Sequence, residues 1–283
     1  MVKGTDAPPI LIAQDIVMSF HGKRCLDGIR FSVQRGEIFG LLGQTGAGKT
    51  TLIKILTGQL PPDAGSATRD SSASIGIMMD AFGVYERLSV YENLKIYAAL
   101  YGTVHPKEKI TDILEKVGLS EAKKTAAAKL SKGMQSRLRL ARVLLRDPDI
   151  LFLDEPTSGL DPATADCIRQ ILYTEKKRGK TIFLVTHTMS EAESLCDRIA
   201  LLCGGKIIEC GTPKEICARH NRQKSFALHL SDGTDLCLPL TPDSADRIAD
   251  LIRGRCVETL HTTEPDLETV FCDLTGEERT PAP

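Results

Sequence analysis

No stretch of this sequence approaches the ~20 consecutive apolar residues needed to cross a bilayer, so a spanning helix is not expected in the 283 residues. The opening segment, Met1 to Gln14, has no extended apolar core either, which argues against a cleaved secretory signal. An excess of one charge is also lacking. Lys and Arg number 36 against 37 Asp and Glu, a net charge of −1. That balance gives no argument for a nucleic-acid partner held by bulk electrostatics, and none is expected, though local basic patches are allowed. No C-x-x-C pair occurs, and the nine cysteines, an odd number, are scattered singly. This is the usage of a cytosolic protein with free thiols, not of a disulfide framework. Cys196, Cys203, Cys210 and Cys217 recur every seven residues, but Gly204-Gly205 and Gly211-Thr212-Pro213 would break any continuous helix. The spacing is read as coincidence rather than as a metal site.

What remains is an ordinary globular composition, 42% hydrophobic and 26% charged, long enough for one large domain and a small one. One stretch stands out. Gly43-Gln44-Thr45-Gly46-Ala47-Gly48-Lys49-Thr50 fits G-x-x-x-x-G-K-[ST] at every fixed position. An apolar run, Glu37 to Leu42, precedes it as a buried strand. Thr51 to Leu56 follows at helical spacing and stops at Gly58. Strand, glycine loop and helix form the setting this motif requires. The glycines let backbone N–H groups turn inward, and the positive end of the helix faces the same anion. In such a loop Lys49 would reach the β- and γ-phosphates of a nucleotide, and the Thr50 hydroxyl would ligate Mg²⁺.

The rest of the chain arranges itself around this loop. Ile10 to Phe20 and Arg30 to Gln34 read as a hairpin turned near His21-Gly22-Lys23, and Leu60 to Gly65 as a loop. Ser66 to Ser74 is small and polar, and Ser74 to Met79 is a short strand ending at Asp80. From Ser89 to Lys124 the pattern is helical, punctuated by Pro106 and Gly118. A helix over Ser136 to Arg146 alternates leucines with Arg137, Arg139, Arg142 and Arg146, read as one solvated face. Ile150 to Leu153 is an all-apolar run ending in Asp154-Glu155-Pro156, and Thr181 to Val185 is another ending in Thr186-His187. Strands alternating with helices predict a mostly parallel α/β sheet, in which ligands bind at the carboxyl ends of strands. The glycine loop, Asp154-Glu155 and His187 should therefore converge. Beyond Arg222 two short strands, a helix over Asp243 to Ile252, a strand-like run from Cys256 and a last helix from Leu267 make a small α+β appendage.

Taken together, these residues resemble the nucleotide-binding subunit of an ABC transporter, from about Ile10 to Pro213. Gly43 to Thr50 is similar to the Walker A loop, and Leu130-Ser131-Lys132-Gly133-Met134 to the family signature. Ile150 to Glu155 is similar to Walker B with its following glutamate, Ser158 to Asp161 to the D-loop, and His187 to the switch histidine. The resemblance implies a P-loop NTPase of the ABC ATPase type: a mixed sheet core, an N-terminal antiparallel β part and a helical subdomain at about 85–147. It places the ATP-binding domain at 1–220, the small domain at 221–276 and a frayed tail at 277–283. It implies ATP held by Gly43 to Thr51, with Phe20 against the adenine. Mg²⁺ would be held by Thr50, Asp154 and Asp80, and the water polarised by Glu155, with Lys49 and His187 assisting at the γ-phosphate. Ser131, Gly133 and Asp161 would act across an interface with a second ATPase subunit, identical or homologous. A separate transmembrane permease would dock near Val90 to Leu94, placing the chain in the cytoplasm on the inner face of the membrane. The tail Glu264 to Gly276 resembles exporters of drugs, lantibiotics and sodium.

Two positions depart from the pattern. Lys132 replaces a glycine of the signature's glycine pair, and Asp80, 31 positions after Lys49, stands where a glutamine is usual. An ionised aspartate can serve Mg²⁺ but cannot donate a hydrogen bond, so Asp80 is expected to tune hydrolysis or its coupling. The competing readings are a soluble ABC-type switch without transport and a slow-turnover ATP-binding module. The intact Glu155 and His187 speak against the second.

Overall fold

The computed structural model describes residues 8–79, 83–221, 225–263 and 265–276. The chain opens with β1 (Leu11–Phe20) and β2 (Lys23–Val33), an antiparallel hairpin. Its turn residues His21 and Gly22 both have positive φ, 49° and 78°, the conformation whose twist suits a two-residue hairpin turn. β3 (Ile38–Leu42) enters the glycine loop and α1 (Lys49–Leu56) leaves it. β4 (Ala64–Arg69) and β5 (Ile75–Met78) lead to three helices, α2 (Val90–Leu100), α3 (Pro106–Lys116) and α4 (Lys132–Leu144). β6 (Ile150–Asp154), α5 (Pro162–Lys177), β7 (Thr181–Thr186), α6 (Met189–Leu195), β8 (Arg198–Cys203) and β9 (Lys206–Gly211) then alternate. Last come α7 (Pro213–His220), β10 (Ser225–Leu230), β11 (Asp235–Pro239), α8 (Pro242–Arg253), β12 (Val257–Thr263) and α9 (Leu267–Thr275).

The chain divides into two compact units between Cys210 and Gly211. In the first, six strands form one sheet in the order β5-β6-β7-β3-β8-β9, parallel from β5 through β8. All five residues of β3 and all six of β7 are buried, which is why these segments read as unbroken apolar runs. A second sheet, β2-β1-β4, is antiparallel. The core between them contains a stack of phenylalanines. Phe31 lies 5.1 Å from Phe39 and 5.9 Å from Phe183, centroid to centroid, and Phe152 lies 5.5 Å from Phe183. Each such ring removed from water stabilises the fold by about 1.5–3 kcal/mol. The second unit folds around Leu228, Leu230, Leu238 and Ile248, on the antiparallel sheet β11-β10-β12 with α8 against it.

Three sequence expectations change. The small polar stretch after Gly65 is in part strand: β4 pairs with β1, Leu11 opposite Arg69 and Ala13 opposite Ala67. Its residues carry too little apolar alternation to reveal a strand, because pairing with β1 supplies the order. The arginines of α4 are not one solvated face. Arg142 is only 5% exposed, with its guanidinium 5.1 Å over the Tyr97 ring and a donor to the Ile77 carbonyl. Arg137 donates to the carbonyls of Val117 and Gly118, tying α4 to the end of α3. Finally, α7 forms where the sequence suggested only a break. Thr212 and Glu215 make a reciprocal capping box at its start. This helix packs on α9 and belongs with the second unit, so the division falls ten residues before the expected 220.

Candidate active site

Three strand ends make the site. β7 lies between β6 and β3, and the parallel register sets Leu42 beside Thr186 and Asp154 beside Val185. The residues leaving these strands are the glycine loop, Glu155 and His187. They emerge side by side at the carboxyl edge of the sheet, where α/β folds bind ligands.

The glycine loop closes on its own lysine. Lys49 Nζ donates to the Gly43 carbonyl at 2.6 Å and the Gln44 carbonyl at 2.9 Å. It also lies 3.9 Å from Glu155 Oε1. Burial pulls Lys49 below the usual lysine range, while the carboxylates of Glu155 and Asp154 oppose that shift. Gly48 precedes α1 with φ of 103°. A Cβ there would lie 2.8 Å from Leu26 Cδ2 and 3.0 Å from the Cys25 carbonyl oxygen, so glycine is required for both backbone and space. No side chain caps α1, which leaves its first N–H groups and positive end for an anion. The Thr50 hydroxyl donates to Asp154 Oδ2 at 3.1 Å, and His187 Nδ1 lies 3.1 Å from Glu155 Oε1. Glu155 has φ of 48°, a left-handed conformation that costs a non-glycine residue roughly 1–3 kcal/mol and concentrates at functional turns.

Cys25, Thr45, Gly46, Gly48, Lys49, Thr50, Thr51, Asp154 and Glu155 line a cavity of about 220 Å³. Whole-ligand pockets span roughly 300–1,000 Å³, so this one suits the phosphate end of a nucleotide. Lys49, Thr50, Asp154, Glu155 and His187 are thus brought together. Phe20, Ser131, Gly133 and Asp161 do not line this cavity. Phe20 ends β1 and is 43% exposed, outside the core. Ser131 caps α4, its hydroxyl accepting from the Met134 N–H at 3.2 Å. Gly133 is buried against α5, where a Cβ would collide with the Thr164 methyl group. Asp161 caps α5, accepting from the Thr164 N–H at 2.9 Å, and bonds from the Thr164 side chain and backbone hold its carboxyl below the usual range. Asp80 lies outside the described residues. Cys25 was not foreseen: it sits in β2, far from the loop in sequence, and no motif marks it. Its thiol is 3.8 Å from the Thr51 hydroxyl.

The sequence profile described as ABC transporter matches residues 26–158. The chain is 41% identical over 271 residues to a fluoroquinolones export ATP-binding protein of Mycobacterium tuberculosis, covering 89% of this chain and 88% of the relative. It is 31% identical to the linearmycin resistance ATP-binding protein of Bacillus subtilis, covering 94% and 98%. Among solved structures, cbiO1 of Clostridium perfringens, part of an ABC transporter complex, superposes with a TM-score of 0.68 at 29% identity, covering 75% of this chain and 92% of that one. The glycine loop, the sheet that presents it and relatives matched nearly end to end lead to one conclusion: this chain belongs to the ABC transporter family, as an ATP-binding subunit whose hydrolysis of ATP drives transport.

Proposed function

We propose that this subunit powers efflux of a drug, an antimicrobial peptide or an ion through a separate membrane permease. The relatives named for fluoroquinolone export and linearmycin resistance support that cargo range. Among the described residues no helix is long and apolar enough to cross a membrane, which fits a subunit that binds its permease from the cytoplasmic face.

The observation that carries the mechanism is the meeting of Lys49, Thr50, Asp154, Glu155 and His187 at one sheet edge. Gly43 to Thr51 wrap the phosphate chain with N–H donors, and the Lys49 ammonium neutralises charge at the β- and γ-phosphates. Thr50 and Asp154 offer hard oxygens 3.1 Å apart, a donor set suited to Mg²⁺, with Asp80 as a further carboxylate. Magnesium held there supplies Lewis-acid neutralisation of the phosphate oxygens. Glu155 accepts the proton of the attacking water, and His187 orients that carboxylate and contacts the γ-phosphate. Phe20 lies against the adenine. Ser131, Gly133 and Asp161 serve the site of a second ATPase subunit, whose own residues complete this one. ATP turnover by the purified chain tests the assignment. Glu155→Gln is expected to lower kcat about 10²–10⁴-fold while ATP still binds. Chelation of divalent metal is expected to stop turnover, and turnover that survives chelation would refute the metal assignment.

A further inference from the structure

We propose that Thr157, Glu191 and Ser136 are positioning residues for Glu155. This rests on the reading of Glu155 as the water-polarising carboxylate. Glu155 is held in a left-handed conformation, φ 48°, where the chain turns off β6. Its N–H is still bonded to the Val185 carbonyl at 2.9 Å. Beyond it the turn has only two long local backbone bonds, Ser158 N–H to the Glu155 carbonyl and Leu160 N–H to the Thr157 carbonyl, both at 3.2 Å, and a non-glycine residue returns to ordinary backbone angles when released. Two side chains add to that hold. The Ser136 hydroxyl, 2% exposed, donates to the Pro156 carbonyl at 2.7 Å. The Thr157 hydroxyl donates to Glu191 Oε1 at 2.6 Å.

Glu191 is 3% exposed and lies on α6, four residues after His187. His187 Nδ1 is itself 3.1 Å from Glu155 Oε1. The loops after β6 and β7 are therefore joined twice, once through Glu155 and His187 and once through Thr157 and Glu191, in a closed ring. The second Glu191 oxygen is buried with no hydrogen-bond partner among the described residues. The hydrogen bond of this buried carboxyl group is thus directed through its other oxygen to Thr157. The ring fixes the direction in which the Glu155 carboxylate leaves the backbone. A shift of about 1 Å in such a group is enough to lower turnover up to a hundredfold.

The test measures kcat, the KM for ATP and the melting temperature of the full chain for Thr157→Val, Thr157→Ser, Thr157→Ala, Ser136→Ala and Glu155→Gln. Thr157→Val keeps the shape and removes the donor. Its kcat is expected to fall about tenfold with KM within about twofold of wild type. Thr157→Ser is expected to retain wild-type kcat, and Ser136→Ala to follow Thr157→Val. Glu191→Ala and the Thr157→Val, Glu191→Ala double variant are measured beside them, and the losses are expected not to add, since both remove one bond. If Thr157→Val melts below the assay temperature, the comparison of Thr157→Ala with Thr157→Ser decides by the same criterion. Wild-type kcat in a folded Thr157→Val, or loss confined to KM, overturns the proposal. If that happens while Glu155→Gln abolishes turnover, the positioning role fails and the role of Glu155 stands. Turnover retained by Glu155→Gln would sink the underlying assignment instead.

Discussion

Single residues carry the chemistry here, and the most constrained is a glycine. Gly48 combines a φ of 103° with backbone and side-chain atoms packed where a Cβ would go. Gly48→Ala is expected to destabilise the fold by about 1–3 kcal/mol and to abolish nucleotide binding. Denaturant melts and a fluorescent-nucleotide titration check both. Lys49 and Thr50 were legible as a motif because eight consecutive positions specify one loop. Cys25, Ser136, Thr157 and Glu191 were not. The side chain of each meets a partner far along the chain, Cys25 lying 3.8 Å from Thr51, Ser136 bonded to Pro156 and Thr157 to Glu191. Arg142 was misread for a related reason. Alternation with leucine marks a helix face, but burial of that face depends on Tyr97 and β5 arriving from elsewhere.

Among the elements, α4 and α5 meet at their starts. Gly133 near the start of α4 faces Thr164 near the start of α5 too closely for any side chain. Gly133→Ala is expected to push the two helices apart and lower both the melting temperature and ATP turnover. Thr164→Ser removes the methyl group that collides and keeps the hydroxyl near Asp161, so the double variant is expected to regain its melting temperature. If turnover stays low in that refolded double variant, Gly133 acts in hydrolysis beyond its packing; if turnover returns, its role is packing alone. A second check belongs to α2, whose start is a capping box of Ser89 and Glu92. Ser89→Ala is expected to cost about 1 kcal/mol, readable as a lower urea midpoint with unchanged slope. Capping signals of this kind, with Pro106, Pro162 and Pro242 at helix starts, made most helices legible. β4 escaped because short edge strands of small residues owe their order to the neighbouring strand.

At the scale of the first unit, two hydrogen-bonded carboxyl groups contribute to the response to pH. Bonds from the Ser72 hydroxyl and N–H, followed by the Arg35 guanidinium, hold the Asp70 carboxyl down to about 2. Bonds from Ser74 lower Asp149 in the same way. A carboxyl depressed in the folded state takes up its proton first in the unfolded chain. Its stabilisation is therefore complete above the ordinary carboxylate value of about 3.9 and is lost as pH falls from there towards 2. Acid unfolding is expected to begin below about pH 4, and Asp70→Asn to flatten that limb while leaving stability at pH 7 closer to that of the acidified wild type. Circular dichroism against pH checks the slope. Assembly is the other property of this scale. If Ser131 and Gly133 serve a second subunit, ATP turnover at dilute protein will rise faster than linearly with concentration. Strict linearity down to nanomolar protein would count against a shared site.

The sequence by itself determined the ligand and the family. Eight consecutive positions, flanked by a strand and a helix, specify the phosphate-binding loop, and the short unbroken apolar runs read as central strands. It also implied that Asp154-Glu155 and His187 should meet the loop, since parallel strands present their carboxyl ends on one edge. Tertiary structure alone decided the distances that make this a site: Lys49 at 3.9 Å and His187 at 3.1 Å from the Glu155 carboxylate. It alone revealed the left-handed backbone of Glu155 and the buried bonds that hold it. Contacts between residues tens of positions apart depend on how strands pair and helices pack, and no local pattern in the chain encodes them.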